Sequence, residues 1–183
     1  MTGEFSKGDV LVISGISGAG KSTLAEALQE LLHARGRNVV IHDGDTLRTF
    51  FDGALLYSSE DRLMVSKVLV YAASVLSEQG VDVILATMLS QEGAREFLAD
   101  RVKFTEVHLE VDLEHVAEKD VKGVYKKSFD RETPNLVGHD LDFHAPREPD
   151  LTIQTHVETP EQSLDTIVQF LSQEGLFGLK GEV

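Results

Sequence analysis

The chain has 183 residues, of which 31 are acidic and 17 basic, for a net charge of −14. That balance argues against broad binding to nucleic acid polymers or anionic membranes, and the absence of Cys excludes disulfides, thiolate metal sites and a Cys nucleophile. With 42% hydrophobic residues, no bilayer-length apolar run and a polar start from Met1 to Gly8, it reads as one domain, residues 1–183, of a cytoplasmic enzyme.

The acidic excess has a corollary. If the ligands carry phosphate, the few Lys and Arg have to be gathered at the site.

Asp9-Val10-Leu11-Val12-Ile13-Ser14 reads as a buried strand, and Leu24, Ala25, Leu28, Leu31 and Leu32 recur at helical spacing. Between them stands Gly15-Ile16-Ser17-Gly18-Ala19-Gly20-Lys21-Ser22-Thr23, which fits the phosphate-loop pattern G-x-x-x-x-G-K-[ST] without mismatch. The glycines reach backbone angles closed to other residues, and the N–H groups form an anion nest at a helix N-terminus. Gly15, Ser17, Gly18, Ala19, Gly20, Lys21, Ser22 and Thr23 are therefore expected to hold a nucleotide. Lys21 would reach the β- and γ-phosphates, and the Ser22 hydroxyl would take a coordination position on Mg²⁺.

Ala34-Arg35-Gly36-Arg37 is a helix stop, and Asn38 to His42 a second short strand. Asp43-Gly44-Asp45-Thr46-Leu47-Arg48 follows at its carboxyl end, where open α/β sheets place their ligands. The bland reading of that cluster is a polar turn. Residues 47–56 read as a short helix and loop, and Ser58-Ser59-Glu60-Asp61 as the start of a helix running to Glu78. Val81 to Met88 is a nearly continuous apolar strand, Glu92 to Asp100 a short helix and Phe104 to Val111 another strand.

Residues 113–130 carry eight Asp, Glu and Lys residues around Gly123, which suggests either a solvated helix pair or a basic lid over phosphates. Residues 133–149 form a long loop with Pro134, Pro146 and Pro149. Asp150 to Thr155 is a last strand. Thr159 caps a closing helix that has Pro160 at its first position and ends near Gln173. This alternation predicts a three-layer α/β fold: five mostly parallel strands, helices on both faces and a small lid.

Taken together, the segments resemble the adenylylsulfate (APS) kinase family of P-loop kinases over residues 7–157. The resemblance rests on the phosphate loop, on Asp43-Gly44-Asp45-x-x-Arg48 and on Tyr57-Ser58-x-x-Asp61-Arg62. It extends to Lys119-Asp120-x-Lys122-Gly123-x-Tyr125-Lys126-Lys127, and to Gly138 through Pro146 with Pro149-Asp150-Leu151. It implies the P-loop NTPase fold, ATP and Mg²⁺ as cofactors, and transfer of the ATP γ-phosphoryl to the 3′-hydroxyl of adenosine 5′-phosphosulfate or a related anionic, nucleotide-like acceptor. By that resemblance Asp45 stands nearest the acceptor hydroxyl, as base or as Mg²⁺ ligand, with Asp43 in support and Lys21 completing the catalytic set. Arg48 and Arg62 hold the acceptor's anion, and Tyr57 flanks its base. Lys67, Leu89, Ser90 and Leu136 line the acceptor side, Lys122 closes over the phosphates, and a homodimer is expected.

Several positions depart from the family pattern. Val65 replaces an Asn, Lys67 and Val68 replace two arginines, Lys119 replaces an Arg and Ser90-Gln91 replaces Ser-Pro. Leu136 replaces a base-stacking Phe, and Phe143-His144 replaces Tyr-Glu. The donor side is thus intact and the acceptor side rewritten, which leaves open a kinase for another specialised metabolite or modified nucleotide. A nucleotide-binding regulator without turnover is the alternative from another class. A GTPase switch is disfavoured, because no Asn-Lys-x-Asp motif occurs.

Overall fold

A computed structural model of the chain describes residues 6–52, 57–90, 93–120, 123, 125–126, 137 and 143–179. Five strands form one sheet: β1 (Val10–Ser14), β2 (Val39–Asp43), β3 (Asp82–Ala86), β4 (Thr105–Glu110) and β5 (Leu151–Gln154). Their order is β2-β3-β1-β4-β5, and all four pairings are parallel, as with Val12 opposite Leu85 and Glu106. The expected mostly parallel sheet is thus wholly parallel.

Among the described residues, the helices are α1 (Lys21–Ala34), α2 (Gly44–Phe50), α3 (Ser59–Glu78), α4 (Ala94–Ala99), α5 (Leu113–Lys119) and α6 (Pro160–Gln173). Side chains alternate across a strand, so β1 feeds two cores. Leu11 and Ile13 pack with Leu24, Leu28 and Leu32 of α1 and Ile167 and Leu171 of α6. Val10 and Val12 pack with Val65, Leu69 and Ala73 of α3 and Leu98 of α4. With both faces covered, a continuous apolar run is the stable composition for the central strands, as the sequence has it.

Caps set the helix starts. The Ser58 side chain accepts from the Asp61 N–H, and Thr159 with Gln162 forms a capping box around Pro160. One start differs from expectation. α2 begins at Gly44, not near residue 47, because the Asp43 carboxylate accepts from the N–H groups of Asp45 and Thr46 and pulls the turn into the helix. The charged stretch that begins at Leu113 also has apolar positions in the core. Val116 of α5 and Tyr125 are buried in the α1-side core, so these two described positions are anchored and not solvated. Among the described residues, no helix is long and apolar enough to cross a membrane.

Candidate active site

The phosphate loop leaves the centre of the sheet at the carboxyl end of β1. Each loop glycine has a separate reason. Gly15 has φ +148°, and a Cβ there would stand 2.7 Å from the Leu109 carbonyl oxygen. It packs the loop against β4 and does not line the cleft. Gly20 has φ +95° as the residue before α1, with open space where its Cβ would be. Its constraint is the left-handed backbone that aims the first N–H groups of α1 outward.

A cleft of about 340 Å³ opens around this loop, lined by Ser17 through Leu24. Among the described residues, the cationic side chains Lys21, Arg48, Arg62 and Lys119 line it. In a chain with 31 acidic and 17 basic residues, that clustering meets the expectation for an anionic ligand.

The cleft has two lobes, one on each side of β1. Towards β2 and β3 it is walled by Asp43, Asp45, Arg48, Tyr57, Arg62 and Val65, with Leu89 and Ser90 as buried residues beyond the end of β3. Towards β4 and β5 it is walled by Val111, His115, Val116, Lys119, Thr155, Glu158 and Ser163.

Between the lobes, Lys21 Nζ donates to the Ile16 carbonyl at 2.7 Å, which holds the ammonium against the loop. Ser22 Oγ donates to Asp43 Oδ2 at 2.9 Å, while Asp43 Oδ1 accepts from the Asp45 N–H at 2.7 Å. One carboxylate thus caps α2 and ties it to the phosphate loop. Asp45 follows in the first turn of α2, exposed at the cleft wall. The oxygen donors Ser22, Asp43 and Asp45 suit a hard cation such as Mg²⁺, which takes few protein ligands and keeps its waters. Among the described residues no group of three His, Cys, Asp or Glu has metal-holding geometry.

The first lobe is built for an anion. Arg62 is buried, its Nε donating to the Tyr57 carbonyl at 3.1 Å. Burial, and then the neighbouring Arg48, lower its pKa, with Tyr57 and Asp45 opposing. Both guanidiniums lie over the Tyr57 ring, Arg48 at 4.8 Å from the centroid and Arg62 at 5.4 Å. The ring face favours cations but takes none of their N–H groups. Arg48 Nε and Nη1 are buried with no hydrogen-bond acceptor among the described residues.

Lys67 lies apart from this lobe's lining residues. It is exposed, with Nζ over the Phe97 ring at 5.8 Å, and it is not among the residues lining the cleft. Arg62, Val65 and Ser66 share one face of α3, and Lys67 sits about 100° further round. Lys122 and Leu136 fall outside the described residues.

Three positioning features were not singled out from the sequence. Tyr125 donates its hydroxyl to the Ser17 carbonyl at 2.7 Å, which ties this residue to the phosphate loop. Burial, reinforced by Asp120, pushes its phenol up to about 12, so it stays a donor throughout the working range. Ser14 Oγ and His108 Nδ1 lie 3.2 Å apart beneath the loop, and the His108 ring stacks on Phe143 at 5.8 Å. Burial lowers the His108 pKa, which favours the neutral ring. His115, Thr155, Glu158 and Ser163 also emerge as cleft residues. The rule that ligands sit past strand carboxyl ends could have found Thr155, directly after β5.

The family model described as adenylylsulphate kinase matches residues 7–154. The adenylyl-sulfate kinase of Deinococcus deserti is 36% identical over 165 residues, covering 90% of this chain and 91% of that protein. That of Clostridium acetobutylicum is 33% identical over 172 residues, covering 91% and 84%. The structure of the Mycobacterium tuberculosis APS kinase in complex with AMPPNP and APS aligns with a TM-score of 0.84 at 26% identity, covering 91% of this chain and 98% of that one. Shikimate kinase from Aquifex aeolicus aligns at a TM-score of 0.55 and 18% identity, a likeness of fold alone.

Proposed function

The chain belongs to the adenylylsulphate kinase family, and from that premise we propose that it transfers the γ-phosphoryl of ATP to the 3′-hydroxyl of adenosine 5′-phosphosulfate. The observation that carries this reading is Arg48, a guanidinium with Nε and Nη1 buried and unpaired among the described residues, beside Arg62 and one ring from it. Buried donors without acceptors are costly, and the phosphate or sulfate of an acceptor would satisfy them. No observation favours a different acceptor or a regulator without turnover.

The residues divide the work. ATP lies across the phosphate loop, its phosphates on the N–H nest and Lys21, and its base in the β4–β5 lobe. The bond from Ser22 to Asp43 at the end of β2 supports that orientation, because it puts the oxygen donors suited to Mg²⁺ on the β2 side of the loop. Ser22, with Asp43 and Asp45 on the same cleft wall, would hold Mg²⁺, which when bound would neutralise charge on the transferring group. APS occupies the β2–β3 lobe, its anionic end on Arg48 and Arg62 and its base near Tyr57. Asp45 orients the 3′-hydroxyl for in-line attack and takes its proton. Phosphoryl transfer asks mainly for positioning and charge stabilisation, and this arrangement supplies both.

The test is ADP release from MgATP with and without APS, the product being identified by mass. Saturable, APS-dependent release with a 3′-phosphorylated product is expected. Slow release indifferent to APS would overturn the assignment.

We also propose a homodimer in the cytoplasm. The dimer is supported by an unpartnered stripe on α3, where Met64, Tyr71 and Val75 are 50%, 70% and 43% exposed at heptad-like spacing with Val68 between them. Light scattering should give the mass of two chains for the native protein and of one for Tyr71→Glu; a native monomer at micromolar concentration would sink the idea. The cytoplasmic site is supported by the demand for ATP, and cell fractionation tests it.

A further inference from the structure

The function proposed above leaves unexplained how the floor of the acceptor lobe keeps its shape. Leu89 and Ser90 form that floor, and both are buried. Leu89 has φ +43°, a left-handed conformation that a branched side chain adopts only when its surroundings enforce it. Leu89 lies three residues past the end of β3, outside the parallel ladder, so its carbonyl needs a donor from elsewhere.

The donor is Arg95, in the first turn of α4. Its Nη1 donates to the Leu89 carbonyl at 3.0 Å and to the His144 carbonyl at 3.0 Å. Its Nε meets both oxygens of Glu106 at 3.1 Å. Glu106 is itself buried in β4, between β1 and β5 in the sheet. The Glu106 N–H donates to Asp150 Oδ2 at 2.7 Å, just ahead of β5. One planar guanidinium therefore joins three pieces: the strained floor of the acceptor lobe, the loop around His144, and the rigid sheet. His144 lies in the segment whose sequence departs from the family pattern, so the link runs from the altered loop to the acceptor floor.

We propose that Arg95 is a positioning residue for the acceptor: it fixes Leu89 and Ser90 against the sheet and makes the shape of the acceptor lobe depend on the seating of the loop at His144. Arg95 is not among the cleft-lining residues, so its effect passes through the backbone it holds. The inference rests on the β2–β3 lobe being the acceptor side. It separates the substrates, since the phosphate loop and the β4–β5 lobe make none of these contacts.

Arg95→Lys tests it. The ammonium can still pair with Glu106, but it lacks the planar fork that serves a carboxylate and two carbonyls together. The KM for APS should rise about tenfold while the KM for MgATP stays within about twofold, because misplacement of a reacting group is costly but local. A role in stability alone would lower the melting temperature and leave the APS KM unchanged below it. If Arg95→Lys does not fold, the double change Arg95→Gln with Glu106→Gln removes the pair's charges together and is read in the same way. An unchanged APS KM, or equal losses for both substrates, overturns the positioning role while native turnover of APS keeps the function standing. Native protein that turns over no APS overturns both.

Discussion

Lys21→Ala is expected to lower kcat/KM by about a thousandfold or more, since preorganised charge at the transferring group is commonly the largest single contribution to such a reaction. The structure explains why the loss falls on chemistry. Lys21 is the first residue of α1, and its Nζ donates to the Ile16 carbonyl within the same loop. Loop shape is set elsewhere, by the left-handed backbone at Gly18 and Gly20, by the tight approach of Gly15 to Leu109, and by the Tyr125 hydroxyl on Ser17. Truncating the side chain should therefore leave the melting temperature within a few degrees, roughly what a substitution away from the core costs. Steady-state kinetics and thermal unfolding on the same preparation check both halves. A Lys21→Ala protein with native turnover would sink the phosphate-loop assignment, and one that fails to fold would mean that the ammonium is structural.

What the sequence disclosed and what it withheld follow from the range of the interactions. The phosphate loop, the apolar central strands and the Thr159–Pro160 start of α6 depend on neighbours a few residues apart, so spacing and residue type reveal them. Asp43 was visible as a residue at a strand end. Its double role was not, because the hydroxyl it accepts from belongs to Ser22, 21 residues away. Arg95 and Glu106 carried no local signal, since an Arg on a short helix usually faces solvent. Tyr125 was read as part of a charged lid, and only the fold brings it beneath Ser17, 108 residues away. Lys67 is a different case. A family-aligned position was expected to carry its role over, but on α3 it faces Phe97 and not the cleft.

Asp45→Asn should lower kcat by about a hundredfold, the lower range for losing a positioned proton acceptor, with the KM for MgATP changed no more than about twofold. The two aspartates of the Asp43-Gly44-Asp45 segment make this a sharp test because their surroundings differ. Asp43 is occupied: one oxygen caps α2 and the other accepts from Ser22. Asp45 stands exposed on the cleft wall and is close enough to Arg62 to oppose the lowering of that guanidinium's pKa. Replacing its carboxylate with an amide keeps the volume and the α2 backbone, so lost activity cannot be assigned to a lost cap. It removes a negative charge that acts on Arg62, so affinity for an anionic acceptor should hold or improve as turnover falls. That opposite movement of kcat and acceptor KM is the signature of a group working on the hydroxyl. Equal losses in kcat and in MgATP affinity would instead place Asp45 on the metal, and unchanged turnover would remove it from the reaction.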